Sequence, residues 1–201
     1  MPEANLTKRA LAHAFKELLQ KQPFDKVGVS DICDACGVSR KTFYYHFQDK
    51  YALAEWVFDT EIIALLQKAD TADRWALIDA ICRYLYQSRA FYAHLMQYDG
   101  QNAFRRHFQE FLFRAVEKYL LPAPGEIDAV AACNGIPAQT ARDFYAHFLA
   151  DAVLVAVFHW LGEGAKLPPE QFVALLHSTE GLIHIQSNQL EQEKAGRATE
   201  S

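Results

Sequence analysis

The chain has 201 residues, enough for one sizeable core or a small module joined to a larger one. Hydrophobic residues make up 51% and charged residues 22%, a globular balance that excludes a disordered or collagen-like chain. The net charge of -5 excludes a generic polycation, yet residues 1–50 carry 8 basic and 6 acidic side chains while the remainder carries 12 and 19. A basic head on an acidic body suits phosphate recognition at one end only.

Helical periodicity runs through nearly all of the chain, and no strand alternation or internal repeat is visible. Leu11, Ala14, Phe15, Leu18 and Leu19 form one apolar stripe between Leu6 and Gln22, and Pro23 stops that helix. A second, short helix is expected over Val29–Cys36, begun by Gly28 or Ser30 and ended by Gly37. Ser39 is placed to cap a third helix from Arg40 to about Phe47, and Asp49 a longer fourth one carrying Leu53, Trp56, Val57, Ile63 and Leu66. Further helices are expected over Thr71–Arg89, Phe91–Tyr98 and Asn102–Leu121. Pro122 and Pro124 then break the pattern, so Ala123–Gly135 reads as a loop holding at most one helical turn. Two more helices follow, Ala138–Leu161 and Pro169–Gln192, before a polar tail over 193–201 that is expected to be disordered. Phe144–Leu161 is the longest apolar stretch, but Asp151 near its centre favours a buried helix over a membrane span.

The segment from Val29 to Phe47 has the parts of a helix-turn-helix. Gly37 can take the left-handed conformation that a tight turn needs, Val38 anchors the turn, and Ser39 caps the helix that follows. Ile32, Cys36, Val38, Phe43 and Phe47 form the inward set. Arg40, Lys41, Thr42, Tyr44, Tyr45 and His46 are left facing outward, rich in groups that hydrogen-bond phosphates and base edges. Lys50 opens the next helix, where its charge could share a phosphate with the helix N-terminus.

The run Asp31-Ile32, Gly37-Val38-Ser39, Thr42-Phe43-Tyr44-Tyr45-His46-Phe47, Lys50 and Leu53 resembles the signature of tetracycline-repressor-type (TetR family) regulators. The likeness covers residues 6 to about 58; beyond them it extends only to length and helix pattern. It looks closest to the DhaS-like branch, which includes activators of dihydroxyacetone kinase genes. The resemblance implies an all-α fold of about nine helices. A three-helix DNA-binding domain over residues 1–50 would join a helical effector-binding and dimerisation domain over 51–192. It further implies a two-fold dimer on double-stranded DNA, a recognition helix at Ser39–His46, phosphate contacts from Tyr45, His46 and Lys50, and base contacts near Arg40, Lys41, Thr42 and Tyr44. Gly28 departs from the pattern, standing where a threonine often caps the second helix. Arg40-Lys41 departs too, adding charge to the reading face.

Other chemistries are weaker. Cys33-x-x-Cys36 invites a thiol-based redox sensor or a helical enzyme, but there is no second ligand pair for a metal site and the bland reading is packing. The four cysteines of an unsecreted chain point to free thiols in the cytoplasm. His94, His107, His147 and His159 show no metal spacing, so no metal, cofactor or catalytic residue is expected. Tyr84, Phe91, Tyr92, Phe104, Phe108, Phe111, Phe144 and His147 are candidates for lining an effector cavity, although aromatic spacing does not separate a pocket from a packed core. The occupant would be a small molecule or, following the DhaS-like likeness, a protein co-regulator. The last two helices carry more apolar perimeter than one buried stripe needs. A dimer interface is therefore expected through Phe148, Ala152, Val155, His159, Phe172, Leu175, Leu176 and Leu182.

Overall fold

The computed structural model describes residues 2–68, 74–96, 103–121 and 124–179. Among these residues every regular element is helical. Helix α1 (Pro2–Leu19) buries Leu11, Ala14, Phe15 and Leu19 along one side. After Pro23 a single 3-10 turn, Phe24–Lys26, leads to α2 (Val29–Cys36) and α3 (Arg40–His46). Helix α4 (Lys50–Lys68) spans roughly 28 Å at 1.5 Å per residue. The body continues with α5 (Arg74–Gln87), α6 (Arg89–Met96), α7 (Ala103–Tyr119), α8 (Pro124–Cys133), α9 (Ala138–Gly162) and a last helical stretch, α10, at 169–179. The expected tail over 193–201 and the expected interface residue Leu182 lie outside the described residues.

The segment expected to be a loop is helix α8. Pro124 occupies its first turn, where a missing N–H costs nothing because that donor has no partner inside the helix. Of its residues, Ile127 and Ala131 pack with Ala141 of α9 into a small core of their own. Arg142 of α9 grips Asp128 of α8, with its Nη2 2.8 and 2.9 Å from the two carboxylate oxygens.

The main core is continuous from α1 through α4 to α7 and α9. Phe58 of α4 lies at its centre, with Tyr92, Phe104, Phe108 and Phe111 presented edge-on at ring separations of 5.2–6.3 Å. That is the spacing of attractive aromatic pairs. Helix α7 runs antiparallel to α9, as the pairs Phe108–Phe158 (6.0 Å) and Phe113–His147 (4.4 Å) require.

Polar side chains tie α4 to both sides. Lys16 of α1 donates to both Glu61 oxygens at 2.8 and 3.0 Å, and the Tyr84 hydroxyl of α5 donates to the same carboxylate. Tyr84 is in turn hydrogen-bonded to Tyr92, and burial pushes both phenols far up from their ordinary pKa. On the other flank Asp59 meets His107 Nε2 at 2.7 Å.

Helix α9 is long and apolar enough by composition to cross a membrane. Its inner line, Ala146, Ala150, Leu154, Val157 and Leu161, packs into the body. Its outer line is apolar too: Phe144 is 63% and Phe148 55% exposed, their rings stacked at 6.1 Å, and Val155 follows two turns on.

Candidate nucleic-acid interface

Helix α3 is shaped by short-range signals. Gly28 begins α2 and has no side chain to cap it; instead Asp31 reaches back and its Oδ2 accepts the Gly28 N–H at 2.7 Å. The under-capped start expected from the missing threonine is therefore supported from within the helix. At the other end Gly37 sits at φ 69°, ψ 24°, the left-handed region where a Cβ is strained, and the N–H groups of Gly37 and Val38 both turn back to the Cys33 carbonyl. Ser39 then caps α3 as expected: its Oγ accepts the Thr42 N–H at 3.0 Å and bonds the Thr42 hydroxyl at 2.8 Å. Such a cap is worth ~1 kcal/mol.

With both ends fixed, α3 is driven inward by Phe43, fully buried, and by Phe47 just past its end. Ile32 and Cys33 of α2 lie beneath, with Cys36 and Val38 partly buried against the same core. That leaves Arg40, Lys41, Tyr44 and Tyr45 in solvent, Tyr45 at 82% and Tyr44 at 50% exposure, with Thr42 and His46 half-buried beside them. The Arg40 guanidinium lies 6.0 Å over the Tyr44 ring, and the Tyr45 and His46 rings meet edge-on at 5.0 Å. An exposed phenol pair beside a guanidinium does nothing for the packing of the core and is well suited to hydrogen bonding across a groove.

Lys50 is placed differently from the expectation. Its ammonium donates to the Phe24 and Val27 carbonyls at 2.7 and 2.8 Å and sits 4.3 Å over the Phe24 ring. Partial burial pulls its pKa down, against the pull of Asp25 and Asp31. The α4 N-terminus is capped by Asp49, whose Oδ1 accepts the N–H groups of Tyr51 and Ala52 at 2.9 and 2.8 Å. Lys50 thus fastens α4 to the turn that leads into α2. Nothing near position 50 in the sequence could have announced those two carbonyls, which lie 23 and 26 residues away.

The cysteine pair packs. Cys33 is buried and Cys36 half-buried, its Sγ 3.2 Å from the Ile32 carbonyl. Burial, then the neighbouring Cys36 and Asp34, push the Cys33 thiol up, the reverse of an activated nucleophile. Among the described residues no group of His, Cys, Asp or Glu is arranged to hold a metal ion.

The body sites divide. Tyr92, Phe104, Phe108 and Phe111 gather around Phe58, ring against ring, and Tyr84 and Phe91 join them through Tyr92, whereas Phe144 stands on the outer face of α9 and His147 is exposed and stacked on Phe113. Those two do not join the aromatic cluster. Of the expected interface residues, Phe148, Ala152, Val155, His159 and Leu175 are exposed. Phe172 is not: it is buried, stacked on Trp160 at 4.4 Å, and Leu176 is partly buried against the core. Residues 169–179 spend that side on their own body, because Trp160 offers a flat apolar ring beneath them.

This all-helical architecture with an outward polar α3 has the form of a transcription regulator of the helix-turn-helix kind, and comparison with known proteins places it. Residues 11–57 match the family described as bacterial regulatory proteins, tetR family, and residues 73–179 match a transcriptional regulator C-terminal region of the same family. The chain belongs to the tetR family of bacterial regulators. It is 28% identical over 123 residues, 60% of this chain and 62% of the relative, to the HTH-type dhaKLM operon transcriptional activator DhaS of Lactococcus lactis, in agreement with the DhaS-like resemblance. It is 24% identical over 182 residues, 85% of this chain, to the uncharacterized HTH-type regulator YxbF of Bacillus subtilis. The chain spans 62% and 43% of the lengths of these curated relatives. Among solved structures, a TetR regulator from Streptococcus agalactiae 2603V superposes with a TM-score of 0.60 at 23% identity, covering 87% of this chain and 93% of that one, a likeness of fold.

Proposed function

We propose that the chain acts as a homodimer that sets one α3 into each of two successive major grooves of a palindromic operator, in the cytoplasm. Arg40, Lys41, Thr42 and Tyr44 would read base edges, while Tyr45, His46 and the Ser39 region would meet phosphates. The observation that carries this reading is the α3 surface: a helix capped by Ser39 and pinned by Phe43 and Phe47 presents Arg40, Tyr44 and Tyr45 to solvent together. The outer line of α9, with Phe144, Phe148, Ala152, Val155 and His159, joined by Leu175, supports the dimer, since apolar side chains at three- and four-residue spacing suit a helix from a second copy. The domain division at residue 50 places the break where α4 begins, with α4 passing from head to body. A ligand or protein partner acting on the body would alter the separation of the two heads, through a coupling free energy of about 1–3 kcal/mol.

The test is binding to a duplex selected from random-sequence DNA by the protein itself. Two chains per duplex are expected, on an inverted repeat, with log affinity falling linearly as log salt rises. Binding as a single chain, or to a site without two-fold symmetry, would overturn the dimeric arrangement.

A further inference from the structure

The body beyond α4 is acidic, yet three of its basic side chains converge. Arg114 and Lys118 of α7 and Arg142 of α9 line one cleft of about 490 Å³, together with Glu117, Leu121 and Gln139. A volume of this size lies within the range of small-molecule sites. Arg114 and Lys118 stand one turn apart on α7, where like charges repel unless something between them carries the opposite sign. Glu117 is the single carboxylate on the wall.

The cations are not all consumed by neighbours. The Arg142 fork is held by Asp128 of α8 through its Nε and Nη2, which fixes the plane of the guanidinium and leaves Nη1 out of those bonds. Arg114 uses its Nε on the Glu110 carbonyl at 3.2 Å, so its two terminal nitrogens are outside that contact. The Lys118 ammonium lies 4.8 Å over the Tyr119 ring. Gln139 is turned by its bond to Asp143 at 2.7 Å. One guanidinium is therefore pre-oriented by a second helix, and two further cations face the same space from across it. Guanidinium forks recognise the paired oxygens of phosphates and carboxylates, and a concave wall of one sign concentrates the field on them.

We infer that the cleft between the C-terminal end of α7 and the N-terminal end of α9 binds a small oxyanion carrying more than one negative charge, a phosphoryl compound or a di- or tricarboxylate. Arg114 and Lys118 supply charge from one wall, and Arg142, its plane fixed by Asp128, supplies the N–H groups of its Nη1 from the other. The bound anion bridges α7 and α9, and it is separate from the aromatic cluster around Phe58 and from the DNA-reading face.

Calorimetric and thermal-unfolding titrations of the full chain with inorganic pyrophosphate and with citrate, at about 0.15 M sodium chloride, test this. Saturable binding at one site per chain is expected for at least one of the two, with a dissociation constant below about 1 mM. Which of them binds tighter assigns the phosphoryl or the carboxylate class. The double variant Arg114→Gln/Lys118→Gln, both exposed and outside the packed core, should weaken binding roughly tenfold or more with an unchanged unfolding midpoint in the absence of anion. Glu117→Gln should tighten it, a gain that damage to the fold would not produce. A response that merely tracks ionic strength without saturating, or one that the double variant retains in full, overturns the inference.

Discussion

On α3 the side chains in solvent are Arg40, Lys41, Tyr44 and Tyr45; on α9 they are Phe144, Phe148 and Val155. Both faces belong to helices whose opposite sides are buried in the same continuous core, so packing explains the inner residues of each and neither outer set. The outer sets differ in what they can satisfy. Phenols and guanidinium carry donors and acceptors to a polar partner, while phenylalanine and valine carry only area to be taken from water. Exposure alone says that a surface is free; the kind of atom exposed says what should cover it.

Breaking the apolar face should have the largest effect. Phe148→Asp puts a carboxylate, once per subunit, into the proposed dimer contact, and should cost ~3 kcal/mol or more, over a hundredfold in dimer dissociation. Sedimentation equilibrium reads this, and a dimer of unaltered affinity would move the contact off α9. On the polar face the effect should be smaller and selective. Arg40→Ala should cost ~1–3 kcal/mol on the preferred operator and relax discrimination at one or two base pairs, with little change on unrelated DNA. Uniform loss on all sequences would make Arg40 a phosphate contact instead.

Lys50 sharpens the comparison most subtly, since it lies beside the reading face without facing outward. Lys50→Met keeps the aliphatic stem and removes the bonds to the Phe24 and Val27 carbonyls. Operator affinity should fall by ~1 kcal/mol, about fivefold, while the slope of log affinity against log salt stays that of the parent. A slope reduced by about one unit would restore Lys50 to the phosphate contacts.

The helix-turn-helix was legible because its determinants are local: Gly37 for the left-handed turn, Ser39 for the cap, and Phe43 and Phe47 four apart for the buried side. Exposure of Tyr44 and Tyr45 follows from that stripe. Three other features left no local mark. Helix α8 hid behind two prolines because its buried side is only Ile127 and Ala131, completed by Ala141 of α9. Phe172 read as an interface residue because periodicity identifies an apolar side without naming its partner, and the partner was Trp160. Phe144 and His147 were grouped with the aromatic cluster on residue type alone, whereas the turn of α9 carries them to its outer and flanking faces.

Glu61 has a place in this picture beyond its hydrogen bonds. One carboxylate holds Lys16, on the first helix of the DNA-reading head, and Tyr84, in the body. Swinging the head away from the body means letting go of one of them, and a charge-assisted bond of this type is worth about 1.5–3 kcal/mol. That matches the scale on which a signal is passed between distant sites. In the proposed movement of head against body, Glu61 would work as a detent, a notch deep enough to hold one posture against thermal agitation and shallow enough for a single binding event to release.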